Sequence, residues 1–359
     1  MSNKKIFTLF ILSVIIFIIS ISCSKENADP AANATTVDQD KRNITATFDD
    51  FYGCLNKLDD GDLSSFLLYS LFNNANQEYN DSYLNTLFNK FKSQYGQIVL
   101  NEKLQYATLT GIYTYNPATG MWSRTNSSNT ITLKFPSVST NPAIDSEMVL
   151  NSYSDTNTTY NGKVTWLPTA ANLTLKRNNN TLFSISLTNI AFDVNTNFTM
   201  PINADIAIFT APFTHSFQWR RTTTTDFSLT YNNSTTDGCG TSLSVNVKLY
   251  DADYGNITSL RDDVKTISGN LINGDLKIVF TSNVQGLAPF NNPTPTQINN
   301  FCAADVFYKD AKIGDLNYDK VNGKSIVNIV YSDGSIQNVQ DYTGSFQTQV
   351  ESIFSRFLN

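Results

Sequence analysis

The stretch that decides the fold is Leu173-Thr174-Leu175-Lys176-Arg177-Asn178-Asn179-Asn180-Thr181-Leu182-Phe183-Ser184-Ile185-Ser186-Leu187. Leu173 and Leu175 alternate with Thr174. The chain turns through Asn178 to Asn180, and Phe183, Ile185 and Leu187 carry the alternation back. A period of two places apolar side chains on one face of a strand and polar ones on the other. Asparagine tolerates the left-handed backbone that a tight turn needs. The stretch therefore predicts an antiparallel hairpin with one apolar face.

Working outward, the same period recurs. Ile131, Leu133 and Phe135 alternate with Thr132 and Lys134, and Leu243, Val245, Val247 and Leu249 form a further strand. Asn273-Gly274 stands between Leu271 and the run Leu276 to Phe280, a two-residue hairpin signal that Asp333-Gly334 repeats. Roughly twelve strands are expected between residues 104 and 342. Their short connections make neighbours antiparallel.

On either side of the strands the period is helical. Ile44, Phe48, Phe51, Tyr52, Leu55 and Leu58 make one apolar stripe. Asp62 is a candidate N-cap for a second helix through Leu63, Phe66, Leu67 and Leu71. Asp81 is a candidate cap for a third, with Leu84, Leu87, Phe88, Phe91 and Tyr95 on one face and Gly96 as its stop. Near the end, Phe346, Val350, Ile353, Phe354 and Phe357 mark a helix over 345–358. The expected fold class is α+β, a large curled antiparallel β-sheet packed with N-terminal helices (43–96) and a C-terminal helix. No linker separates these parts, so 43–359 reads as a single domain.

The first residues are a targeting signal rather than a fold element. Lys4 and Lys5 precede an apolar stretch from Ile6 to Ile21, and Ser20-Ile21-Ser22-Cys23 leads straight into polar sequence. This arrangement resembles the lipobox of bacterial lipoproteins, with Ser20 where that family usually carries leucine. The resemblance implies removal of residues 1–22 and lipidation of the Cys23 thiol, with palmitate among the acyl groups. The alternative is an uncleaved signal anchor. Residues 23–42, with Pro30 and few large apolar side chains, read as a flexible tether.

A second resemblance covers most of the remaining chain. Gly111-Ile112-Tyr113-Thr114-Tyr115-Asn116, then Trp122, then Leu133-Lys134-Phe135-Pro136 follow a helical start. That progression resembles uncharacterised lipoproteins common in the Bacteroidota. It implies an α+β envelope lipoprotein and carries no activity with it. Ser24-Lys25-Glu26-Asn27 is similar to the short acidic export tag of such proteins, and reads equally as a solvated linker.

Composition limits the chemistry. Hydrophobic residues make up 41% of the 359, enough for a core, and charged residues only 16%. The net charge is −6 with no clustered Lys and Arg, which argues against a nucleic-acid partner. There are four cysteines. With Cys23 committed to lipid, three remain in an oxidising compartment. The expected disulfide joins Cys239 to Cys302 and leaves Cys54 as a buried helix thiol; the alternative is three reduced thiols.

Candidate sites are few. His215 is the single histidine, so histidine-based nucleophilic catalysis or a multi-histidine zinc site has little to build on. Asp251, Asp253 and Asp262 have the spacing of a calcium loop, but Asn256 stands where the sharp turn needs glycine. Asp315, Asn317 and Asp319 begin a similar pattern. Tyr113, Tyr115 and Trp122 are candidates for stacking on sugar rings, against the ordinary reading of strand aromatics as core. No catalytic residue, metal site or cofactor is assigned. The expected function is that of a membrane-anchored envelope lipoprotein, at the outer rather than the inner membrane. Its role would be non-enzymatic: binding, assembly or structure, with a lipid, glycan or envelope-protein ligand. The rival is a carboxylate-dependent glycan hydrolase, which needs two carboxyl groups about 5–10 Å apart in a cleft.

Overall fold

The structure is a computed structural model that describes residues 35–59, 61–71, 83–96, 103–126, 128–160, 163–193, 200–253 and 263–344. Residues 1–22, Cys23, Asp81, Asp262 and the helix expected over 345–358 lie outside them. Among the described residues four helices come first: α1 (Val37–Asp59), α2 (Asp62–Leu71), α3 (Tyr83–Tyr95) and α4 (Tyr106–Leu109). Helix α1 starts inside the stretch read as tether.

Twelve strands follow among the described residues. They are β1 (Gly111–Asn116), β2 (Met121–Thr125), β3 (Ile131–Phe135), β4 (Ser146–Tyr160), β5 (Lys163–Arg177) and β6 (Asn180–Asp193). Then come β7 (Met200–Thr210), β8 (Phe213–Arg221), β9 (Asp226–Ser234), β10 (Gly240–Leu249), β11 (Val264–Asn273) and β12 (Leu276–Ser282). Short helices α5 (Val284–Leu287) and α6 (Pro295–Phe301) lead to β13 (Cys302–Tyr308), β14 (Ala311–Val321), β15 (Lys324–Tyr331) and β16 (Ile336–Asn338). A single turn, α7 (Gln340–Thr343), closes the described chain.

Among the described residues the strands form one 16-stranded sheet, in the order β16 to β3 by sequence and then β1 and β2. The expectation of a wholly antiparallel sheet is corrected at one end: β1 pairs antiparallel with β2 but parallel with β3. The sheet is therefore mixed. The hairpins form where turn chemistry asks for them. Asn178 and Asn179 take φ of 49° and 66° between β5 and β6, and Gly274 takes 57° between β11 and β12. Gly96 ends α3 at φ 99°, its N–H donating to the Lys92 carbonyl at 3.1 Å.

Within the span read as one domain, the residues group into two compact units. One gathers the described parts of Met1–Tyr52, Arg221–Thr230 and Gly240–Gln347. Here Ile44 of α1 is buried, the Asn273 side chain donates to the Thr47 carbonyl, and the Lys41 ammonium lies over the Tyr331 ring. Burial alternates along β13, with Cys302, Ala304 and Val306 buried and Ala303, Asp305 and Phe307 half-buried.

The other unit gathers the described parts of Gly53–Arg220 and Tyr231–Cys239. Phe66 of α2 and Leu84, Leu87 and Phe91 of α3 bury themselves against Tyr113, Tyr115, Trp122, Ile131, Leu133, Phe135 and Leu182. Met148, Leu150 and Leu175 form the margin of this core. A disulfide joins Cys54 to Cys239, and Lys57 pairs with Asp237 at 2.7 Å beside it.

Candidate functional site

The opening hairpin lies in a longer pattern. Pair by pair, the register sets Ile131 beside Leu150, Leu150 beside Leu173, Leu173 beside Ile185, Ile185 beside Ile208, and Ile208 beside His215. Directly opposed residues project from the same face, so these six form one row across β3 to β8. A flanking row on the same face is also apolar: Ala171, Leu187, Ile206 and Phe217. The reverse face is mostly polar, with Asn172, Ser186 and Ser216 in register around Ala207, and Ser184 and Thr214 on either side of Phe209.

An amphipathic sheet normally buries its apolar face, and β1 and β3 do so beneath α2 and α3. The row begins there, with Ile131 at 6% exposure. Farther along the alternation of burial weakens. Leu173, Ile185, Ile208 and His215 are half-buried, and so are Asn172, Ser184, Ser186 and Ser216 behind them. Over β5 to β8 the apolar face is thus only partly covered, half-buried throughout with Phe213 enclosed, while Thr188, Ala207, Thr214 and Gln218 on the polar face are exposed.

One polar group stands on this face. The two ring nitrogens of His215 are tied off: Nε2 to the Thr210 hydroxyl at 2.8 Å and Nδ1 to the Tyr231 hydroxyl at 3.0 Å. Its ring stacks between Phe213 and Tyr231. Burial holds the imidazole below its ordinary value of 6.5 and raises the Tyr231 phenol above 10.0. The site is therefore neutral near pH 7, with an apolar floor and a hydrogen-bonding end.

A second constellation lies on β13 and β14. Asp305 and Asp315 are cross-strand partners, and Lys312 Nζ lies 2.8 Å from an oxygen of each. The register slips between Val306 and Phe307, where Ile313 is the extra residue. That bulge turns Lys312 onto the face of Asp315, three residues away. Burial and the neighbouring Asp305 push the Asp315 carboxyl above 3.8 against the pull of Lys312. A hydrolytic carboxyl pair needs room for sugar and water between its members. Here the ammonium fills that room.

The sequence-derived candidates fare differently. Tyr113, Tyr115 and Trp122 do come together, but at 0%, 6% and 3% exposure beneath α3. Trp122 donates its indole N–H to the Leu87 carbonyl and Tyr113 its hydroxyl to the Leu109 carbonyl. They are core, not a sugar platform, a correction that follows from the helices covering this end of the sheet. The expected Cys239–Cys302 bridge is also corrected. Cys239 pairs with Cys54, because the last turns of α1 reach the turn after β9, while Cys302 is a buried free thiol beside Ser282. Asp251 and Asp253 are exposed past the end of β10. Among the described residues no three His, Cys, Asp or Glu side chains are grouped to hold a metal. Asp315 points into the lysine cluster, and Asp319 is exposed.

His215 was legible as a residue but not as part of a site. The signal was the alternation of Phe213, His215 and Phe217, which places it on an apolar face. No family model matches the chain, and neither does any curated protein or solved structure.

Proposed function

We propose that this chain is a lipid-anchored protein of the bacterial cell envelope, held at the outer membrane through Cys23, that binds an apolar ligand without transforming it. The observation that carries the binding role is the half-open apolar row over β5 to β8. A contiguous, partly exposed apolar face marks an interaction or ligand site. Of lipid, glycan and envelope protein, the row favours lipid. The main row is aliphatic and neutral, whereas Tyr113, Tyr115 and Trp122, the aromatics singled out for glycan stacking, are enclosed.

The anchor and the binding face are tested separately. Cys23→Ala should abolish labelling by a palmitate analogue, and persistent labelling would sink the anchor. Mass spectrometry of protein extracted from membranes should find lipid retained by the unsubstituted chain and lost from Ile208→Asp. Equal lipid in both would remove the binding reading.

A further inference from the structure

Resting on that lipid-binding reading, we infer that the face over β4 to β8 takes a single-chain fatty acid, with its carboxyl group at His215 and Tyr231 and its tail along Ile208, Ile185, Leu173 and Leu150. The tail fits by length. Four strand spacings separate β4 from β8, about 19 Å at about 4.8 Å each, the length of a long-chain fatty tail. The row is continuous in register over that distance. Its far end runs into the closed core at Ile131, where Leu150 is already partly covered. The tail therefore has a stop at that end, which leaves the carboxyl group at the His215 end of the row.

The head fits by charge. Half-buried apolar surroundings penalise net charge. The imidazole is neutral there, and its two partners, Thr210 and Tyr231, are hydroxyls, of which the acid would replace Thr210 on Nε2 while Tyr231 stays on Nδ1. A carboxylic acid brings one proton. Whether that proton stays on the acid or moves to the imidazole, the pair carries no net charge. A phosphodiester headgroup brings a charge that no protonation near neutrality removes, and His215 alone would have to meet it as a cation. A long-chain alcohol fills the row but gives the imidazole no acid partner. The observations therefore favour a fatty acid over a diacyl phospholipid.

The test uses isolated membranes carrying the full chain. They are irradiated with diazirine-bearing palmitic acid, with the matching long-chain alcohol, or with a diacyl phosphatidylglycerol carrying the same group. The acid should crosslink to peptides of β6, β7 and β8. His215→Gln should cut acid labelling about ten-fold, the worth of one hydrogen bond to a charged group, and leave alcohol labelling unchanged. Should that variant fail to accumulate, Tyr231→Phe carries the same expectation. Equal labelling by acid and alcohol, insensitive to these substitutions, overturns the carboxyl site and leaves lipid binding standing. Labelling by the phospholipid alone does the same. No labelling of β5 to β8 by any probe overturns both.

Discussion

Asp305 and Asp315 face each other across β13 and β14, and the ammonium of Lys312 lies 2.8 Å from a carboxylate oxygen of each. Directly opposed like charges destabilise a sheet pair, so the lysine holds this register together. Lys312→Met should cost about 1–2 kcal/mol near pH 7. The pH dependence has a definite sign. Asp315 already titrates above 3.8 in the fold, through burial and then Asp305. Its ionised form costs stability as pH rises through the folded value, and without Lys312 that cost grows. The loss in the variant should be large near pH 7 and small near pH 4, where carboxyls begin to protonate. Urea midpoints at the two pH values measure it. An equal loss at both would mean that Lys312 acts by packing alone.

The Cys54–Cys239 bridge spans 185 residues. Closing so long a loop restricts the unfolded chain, and the expected stabilisation is about 3–5 kcal/mol. Cys54→Ser should lower the thermal midpoint accordingly. Thiol titration of the denatured, unreduced protein should find Cys302 reactive and Cys54 and Cys239 silent. A Cys239–Cys302 peptide in a non-reducing digest would contradict the pairing.

Local chemistry was readable where it acts within a few residues. Asn178, Asn179, Gly96 and Gly274 all adopt the left-handed backbone that their turns and caps require. What covers a face was not readable. The alternation of Tyr113 with Tyr115 is the same kind of signal as that of Leu173 with Leu175. Yet the first pair lies under α3, and the second leads onto a half-open face. Helix placement over a sheet depends on long-range packing, and no short window of sequence contains it. The same limit hid the cysteine pairing, which needs Cα atoms 5.7 Å apart across 185 residues. It also hid the lysine cluster. A regular β14 would put Lys312 and Asp315 on opposite faces, and only the bulge at Ile313 unites them.

The enclosed aromatics give a direct test of core against ligand platform. Phe91 packs edge-on to both Tyr113 and Trp122, with ring centroids 4.9 and 5.6 Å apart. Phe91→Ala should cost about 3–5 kcal/mol. Trp122→Phe keeps most of the packing but loses the indole N–H bond to the Leu87 carbonyl, for about 1 kcal/mol. Chemical denaturation reads both. If neither variant loses stability while a glycan ligand is lost, the aromatics form a binding surface after all.

His215 reports on its own surroundings, because a single histidine gives one resolved imidazole signal by NMR. Burial between Phe213 and Tyr231 lowers its value in the fold below 6.5. The unfolded chain therefore binds a proton at a pH where the folded chain does not. Stability from this source is fully present above about pH 6.5 and is lost as pH falls through the folded value. Two measurements should agree. The imidazole midpoint should lie below 6.5, and the thermal midpoint should fall on acidification from pH 7 toward pH 5. His215→Gln should flatten that part of the profile while keeping one hydrogen bond to Thr210 or Tyr231. Added fatty acid should move the imidazole midpoint upward, since the bound carboxyl favours the protonated ring. A midpoint indifferent to fatty acid would place the headgroup elsewhere.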